Sequence, residues 1–170
     1  MDRCGECGFD YDGFPRHEIG DRLRALALAV GERLSETPHA YASERPVEGW
    51  SALEYGCHVR DVLRVQRERI DLTLVAEQPE FAPMRRDERA VEQRYNDQHP
   101  DRVAAEVGAA ADALAVRLES LDEAGWTRTG IYGYPSREVR QVDWIARHTV
   151  HELHHHLADV DRVLRSVLEG

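Results

Sequence analysis

An all-α fold, an antiparallel bundle of four long helices, is what this sequence predicts. Three observations carry that expectation. Apolar residues recur every three or four positions along four separate stretches of the 170-residue chain, the spacing of a helix that buries one stripe. The period-two alternation of strands is nearly missing. Prolines fall between the four stretches, where the chain must turn.

The first stretch, His17 to Glu36, places Ile19, Leu23, Leu26, Val30 and Leu34 on one stripe. Pro38, Pro46 and Gly49 then interrupt the chain before the second helix. That helix is marked at its start: Ser51 and Glu54 form an S-x-x-E capping box, with Trp50 and Tyr55 in the staple positions. It is expected to run from Ala52 to about Ala76, with Tyr55, Val59, Val62 and Leu63 towards the core, which puts His58 on the apolar side. Residues Glu77 to Pro100 are charged and carry three prolines, so they read as a long connection with one short helix over Arg86 to Tyr95. The third helix spans Arg102 to Leu121, with Asp101 as its N-cap. A loop comes next, with a short extended piece at Thr127 to Tyr134, and the fourth helix starts between Val139 and Val142 and runs to about Leu168. The bundle therefore occupies residues 17–170, preceded by a segment, 1–16, that holds a C-x-x-C motif and few apolar groups.

The formal charge of -10 and a pI near 5.3 argue against nucleic-acid partners and anionic membrane surfaces, which need concentrated positive charge. All 22 basic residues are Arg, a codon bias rather than a binding signal. No apolar run is long enough to span a membrane and the N-terminus lacks the apolar centre of a signal peptide, so a cytoplasmic location is expected. Three cysteines do not make a disulfide framework in a domain of this size.

The chemistry is concentrated in HTVHELHHH, where five of the nine histidines fall within His148 to His156. Residues four apart lie one turn apart on one helix face, so His151 and His155 can aim two imidazoles at one cation. The third ligand is sought in His58. On the fourth helix Val142, Ala146, Val150, Leu153, Leu157, Val160 and Leu164 form one face, and Trp144, His148, His151 and His155 another. His154 and His156 are assigned to other sides as ordinary polar or interfacial residues. His148 is a candidate supporting group, and Asp61, Glu152 and Asp159 are the carboxylates available to orient imidazoles.

The pairing of W-S-x-x-E-x-x-x-H over Trp50 to His58 with H-E-x-x-H over His151 to His155 resembles the DinB-like metal-binding four-helix bundles. That family includes thiol-dependent transferases using mycothiol or bacillithiol, and mycothiol-dependent maleylpyruvate isomerases. H-E-x-x-H alone would also suit a zinc metalloprotease, but the upstream histidine in its W-S-x-x-E frame does not fit that pattern. The resemblance implies that His58, His151 and His155 hold a divalent metal.

Three imidazoles suit Zn or Ni and leave a position open, where a water or an incoming low-molecular-weight thiol loses its proton more readily. The expected function is thus a metal-dependent transferase or isomerase acting on a small-molecule substrate through such a thiol. The alternative is a non-catalytic metal-binding or stress-response bundle, possible as a homodimer.

Cys4-Gly5-Glu6-Cys7-Gly8 has the shape of one zinc knuckle and departs from the family pattern. Its completion is open between His17, Cys57, histidines of the fourth helix and the same pair from a second subunit; a redox dithiol and a reactive but nonessential pair are further options. Cys57 itself reads as a small core residue. Arg85, Arg86, Arg89 and Arg94 either meet an anionic substrate or, with Asp87, Glu88 and Glu92, form a solvated face.

Overall fold

The computed structural model describes residues 3–133 and 136–169. Four long helices form the bundle: α1 (Ile19–Ser35), α3 (Ala52–Val75), α5 (Pro100–Glu119) and α7 (Val142–Leu168). Three short ones, α2 (His39–Ala42), α4 (Arg86–Glu92) and α6 (Glu123–Thr127), lie in the connections. The long helices pack α1 and α3 each against both α5 and α7, so consecutive α1 and α3 face one another across a diagonal. Each sends an apolar stripe inward: Leu23, Val30 and Leu34 from α1, Leu53, Val59, Leu63 and Ile70 from α3, Val103, Val107 and Leu114 from α5, and Val150, Leu153 and Val160 from α7, all buried.

The start of α3 is fixed as its sequence dictates. The Ser51 hydroxyl accepts from the Glu54 amide (3.1 Å) and the Glu54 carboxylate accepts from the Ser51 amide (3.0 Å), and Trp50 and Tyr55 meet edge to face at 5.6 Å. Arg45 closes on the buried Glu54 carboxylate from the preceding connection. Helix α5 begins earlier than its sequence suggests: Pro100 takes the first helical position, for which its fixed φ and missing N–H suit it, and Asp101 lies in the first turn rather than at the cap.

The long connection is pinned onto α3 by a buried polar network. Arg60 donates to Asp61 (2.8 Å), Glu106 (2.9 Å) and Gln98 (2.8 Å), while the Tyr95 hydroxyl donates to Asp61 (2.7 Å). Asp61 is thereby spent on the scaffold and makes no hydrogen bond to His58.

The extended piece is a hairpin. Strand β1 (Thr129–Tyr132) pairs antiparallel with β2 (Glu138–Gln141), with Thr129 opposite Gln141; Tyr134, the end of the expected extended stretch, lies outside the described residues. Strand β2 gives no sequence signal because its side chains are nearly all exposed and charged or polar. At Gly130 the Phe81 ring comes so close that a Cβ would stand 2.2 Å from it, so only glycine lets the 80–82 segment lie against β1. The Phe81 amide donates to the Ile131 carbonyl (3.0 Å) and fixes that approach.

The N-terminal segment contributes more apolar surface than its composition suggests. Tyr11 is 5% exposed, stacked on Trp144 at 6.0 Å and hydrogen-bonded through its hydroxyl to His148 Nδ1 at 2.9 Å. Phe9 and Phe14 pack beside it. The segment is therefore seated along α7 instead of standing apart from the bundle.

Candidate metal centre

The structure does not gather His58, His151 and His155 into one group. His58 stands with Glu152 and His156, while His151 and His155 face Cys4 and Cys7, and a third set, His148, His151 and Glu152, overlaps both; in each group the ligand atoms lie within 4.8 Å of one another. The division follows from helix geometry. Residues 151 and 155 form one line along α7, and residues 152 and 156, one position on, form a second line rotated by about 100°.

His156 is the residue that sequence reasoning placed elsewhere. It is buried, on the stripe that runs Thr149, Leu153, His156, Val160, Val163, and that stripe faces α3. Spacings of four, three, four and three mark it as an inward position; a search confined to apolar residues passes over a histidine there.

In the first group the His58 and His156 rings meet edge to face with centroids 4.8 Å apart. Trp50 closes the other side of His58 at 5.3 Å. His58 is 3% exposed, and its Nδ1 has no hydrogen-bond partner among the described residues. His156 Nδ1 lies 3.0 Å from Asp159 Oδ2, which leaves Nε2 aimed towards Glu152 Oε2 at 3.7 Å. Asp159 is itself held by Arg162 (2.6 Å).

The electrostatics match this layout. Burial pushes His58 down to about 3, so its imidazole is neutral and its nitrogen lone pair free. Burial also opposes charge on His156, but hydrogen bonding to Asp159 and Glu152 overrides it and raises the group to about 9. Glu152 is held well below the carboxylate range, because His151 and His156 outweigh its desolvation. Without a cation, a proton on His156 neutralises the carboxylates around it.

Two imidazoles and a carboxylate, an unpartnered buried nitrogen, and a carboxylate steadying the far nitrogen of one imidazole are a donor set that suits a divalent cation such as zinc. Of the acids singled out in the sequence, Asp159 contacts the His156 ring and Glu152 lies within the donor group itself.

A cavity of about 560 Å³ opens beside this group, lined by His58, His148 and Glu152 together with Arg69, Arg85 and Arg86. The Arg69 guanidinium is anchored by the Tyr132 hydroxyl (2.9 Å) and the Ala82 carbonyl (2.8 Å). Arg85 and Arg86 therefore belong to a cavity wall, whereas Arg89 reaches Asp61 (3.5 Å) and Arg94 pairs with Asp97 on the surface (2.8 Å). His148 stacks on Trp144 at 4.7 Å, and burial depresses it to about 4.

In the second group Cys4 and Cys7 sit on a tight turn. The Gly8 amide donates to the Cys4 carbonyl (2.9 Å) and the Cys4 amide to the Phe9 carbonyl (2.8 Å), with Gly8 at φ 73°, where glycine is unstrained. The Cys7 amide chiefly, with that of Glu6, lowers the Cys4 thiol to about 7 against the effect of burial. Cys57 is elsewhere, in the core, its thiol pushed up to about 12 by burial and directed at the Tyr95 carbonyl.

The fold and site together define a helical bundle with a His/Glu donor group at the edge of a cavity, and the sequence model of one family covers residues 19–160. The chain belongs to the DinB superfamily. Among solved structures it is similar to YfiT from Bacillus subtilis, described as a probable metal-dependent hydrolase with an unusual four-helix bundle topology, at 15% identity and a TM-score of 0.81 over 89% of this chain and 86% of that one. It is also similar to the mycothiol-dependent maleylpyruvate isomerase and to a histidine-to-alanine variant of it, at 17% and 16% identity, each with a TM-score of 0.72 over 88% of this chain and 62% of that one. These likenesses concern the fold. No curated protein matches the chain.

Proposed function

We propose that this protein is a metal-dependent transferase or isomerase that activates a low-molecular-weight thiol at the His58, Glu152 and His156 group. The observation that carries the reading is the placement of this donor group on the wall of a cavity that Arg69, Arg85 and Arg86 also line. A divalent cation there, zinc or nickel, supplies an electrophilic position that lowers the pKa of a bound thiol. The chain's own residues do the rest. His58 and His156 offer neutral nitrogens once the His156 proton is lost, Asp159 fixes the His156 ring, and the arginines attract an anionic thiol or acid substrate.

Cys4 and Cys7 lie with His151 and His155 and so leave the His58 group open on the cavity side, which favours catalysis over the alternative of a closed binding or stress-response bundle. The similarity to a mycothiol-dependent isomerase supports the choice of a thiol, and a cytoplasmic setting accords with the reduced state such thiols require. No helix among the described residues is long and apolar enough to cross a membrane.

The test uses the cobalt form of a Cys4→Ser/Cys7→Ser variant, in which the N-terminal segment contributes no sulfur. Titration with mycothiol, bacillithiol and glutathione is expected to produce a sulfur-to-cobalt absorption band with at least one of them. No spectral change with any of the three, up to millimolar concentration, overturns the thiol reading.

A further inference from the structure

We infer that Cys4, Cys7, His151 and His155 form a second metal site, a closed structural zinc centre that fastens the N-terminal segment to α7. It is independent of the chemistry assigned to the His58 group. All four ligand atoms lie within 4.8 Å of one another. A zinc tetrahedron with Zn–S of about 2.3 Å and Zn–N of about 2.0 Å has edges of roughly 3.3–3.8 Å, so closure asks for shifts of about an ångström at most.

Three further observations point to a cation. Both ring nitrogens of His151 and the Nδ1 of His155 are buried with no hydrogen-bond partner among the described residues, although such atoms are nearly always paired in native proteins. A metal satisfies one nitrogen of each ring. The C-x-x-C-G turn already has the backbone of a zinc knuckle, with the Gly8 amide folded back on the Cys4 carbonyl. The pair His151 and His155 has the one-turn spacing of two helical zinc ligands.

The donor set also fixes the class of the site. Two thiols give up their protons to solvent as they bind, two imidazoles bind neutral, and the resulting pair of thiolates balances the dication. Four protein ligands leave no position for substrate, so the site is structural. Thiolate-rich coordination selects zinc over magnesium or calcium. The aromatic seat is consistent with a permanent joint: Phe9 and Tyr11 pack on the His151 ring at 5.7 and 5.3 Å.

Cobalt substitution of the intact protein, with no thiol added, tests the inference. A sulfur-to-cobalt band with the strong visible absorption of tetrahedral cobalt is expected, retained in His58→Ala/His156→Ala and abolished in Cys4→Ser/Cys7→Ser. The zinc content of the cysteine variant should fall by about one equivalent per chain. A spectrum lacking the sulfur band, or a band that survives loss of both cysteines, overturns the site. Should a variant not fold, titration of the intact zinc protein with a mercurial decides: modification of Cys4 and Cys7 must release about one zinc per chain, and modification without release refutes the proposal. Because this readout needs no added thiol, its failure is distinct from failure of the catalytic reading.

Discussion

His156 Nδ1 lies 3.0 Å from Asp159 Oδ2, three residues further along the same helix. One carboxylate thus fixes which nitrogen of the ring remains available to the His58 side, and it raises the ring's affinity for protons as well as for metals.

Replacing Asp159 by Asn should therefore weaken metal binding about 10- to 100-fold while helical content is retained. Competition with a chelator of known affinity measures it, and affinity equal to that of the parent would mean that the Asp159 contact orients nothing.

Acid should destabilise the metal-free protein before its carboxylates titrate. His58 and His148 have folded values of about 3 and about 4, against about 6.5 in an unfolded chain. Unfolding then takes up protons at these two groups, and stability falls as pH drops from about 6.5 towards 4. His156 acts in the opposite sense. Its folded value of about 9 gives a stabilisation fully present below about 6.5 and lost as pH rises through 9. Urea midpoints of chelator-treated protein should accordingly decline on both sides of neutrality, and a midpoint unchanged between pH 7 and pH 5 would contradict the assignment for His58 and His148.

Metal binding to the His58 group should release a proton at neutral pH, since His156 is protonated there in the absence of a cation. His58→Ala/His156→Ala removes that step. Calorimetry in buffers of different ionisation enthalpy reads the proton, and a buffer-independent heat for the parent would count against it.

Gly130→Ala should lower stability by about 1–3 kcal/mol, the usual cost of forcing extra volume against a packed ring. The added Cβ meets the Phe81 ring at 2.2 Å. Thermal unfolding gives the answer, and an unchanged midpoint would show that the 80–82 segment yields freely.

Arg86→Gln should raise KM for an anionic thiol or substrate several-fold with little change in kcat, because the side chain lines the same cavity as His148 and Glu152. Steady-state kinetics on the reaction of the proposed transferase distinguishes this from a lowered kcat with KM intact.

Much of the architecture was legible because amphipathic periodicity and capping chemistry are local. The Ser51–Glu54 box, the stripes of α1 and α3 and the inward aspect of His58 needed no tertiary knowledge. The partition of the histidines did, since H-E-x-x-H fixes spacing but not which neighbour each line of the helix will meet. His156 was legible only as a polar residue at an inward position. The docking of residues 3–15 had a signal in Phe9, Tyr11 and Phe14, three aromatics within six positions, but their partner, the Trp144 and His148 face of α7, lies more than a hundred positions away in sequence. Strand β2 had no signal, being held by its ladder to β1 and not by burial.

The hydrogen bond between Tyr11 and His148 joins residues 137 positions apart, and this separation governs the order in which the molecule matures. During synthesis the N-terminal turn leaves the ribosome long before the helix that receives it exists. Its three aromatic rings stay without their seat until α7 has been made, because no element nearer in sequence offers the Trp144 and His148 face. The docking of this segment therefore reports on the completion of α7, and its aromatic contacts can form only after the helix that receives them.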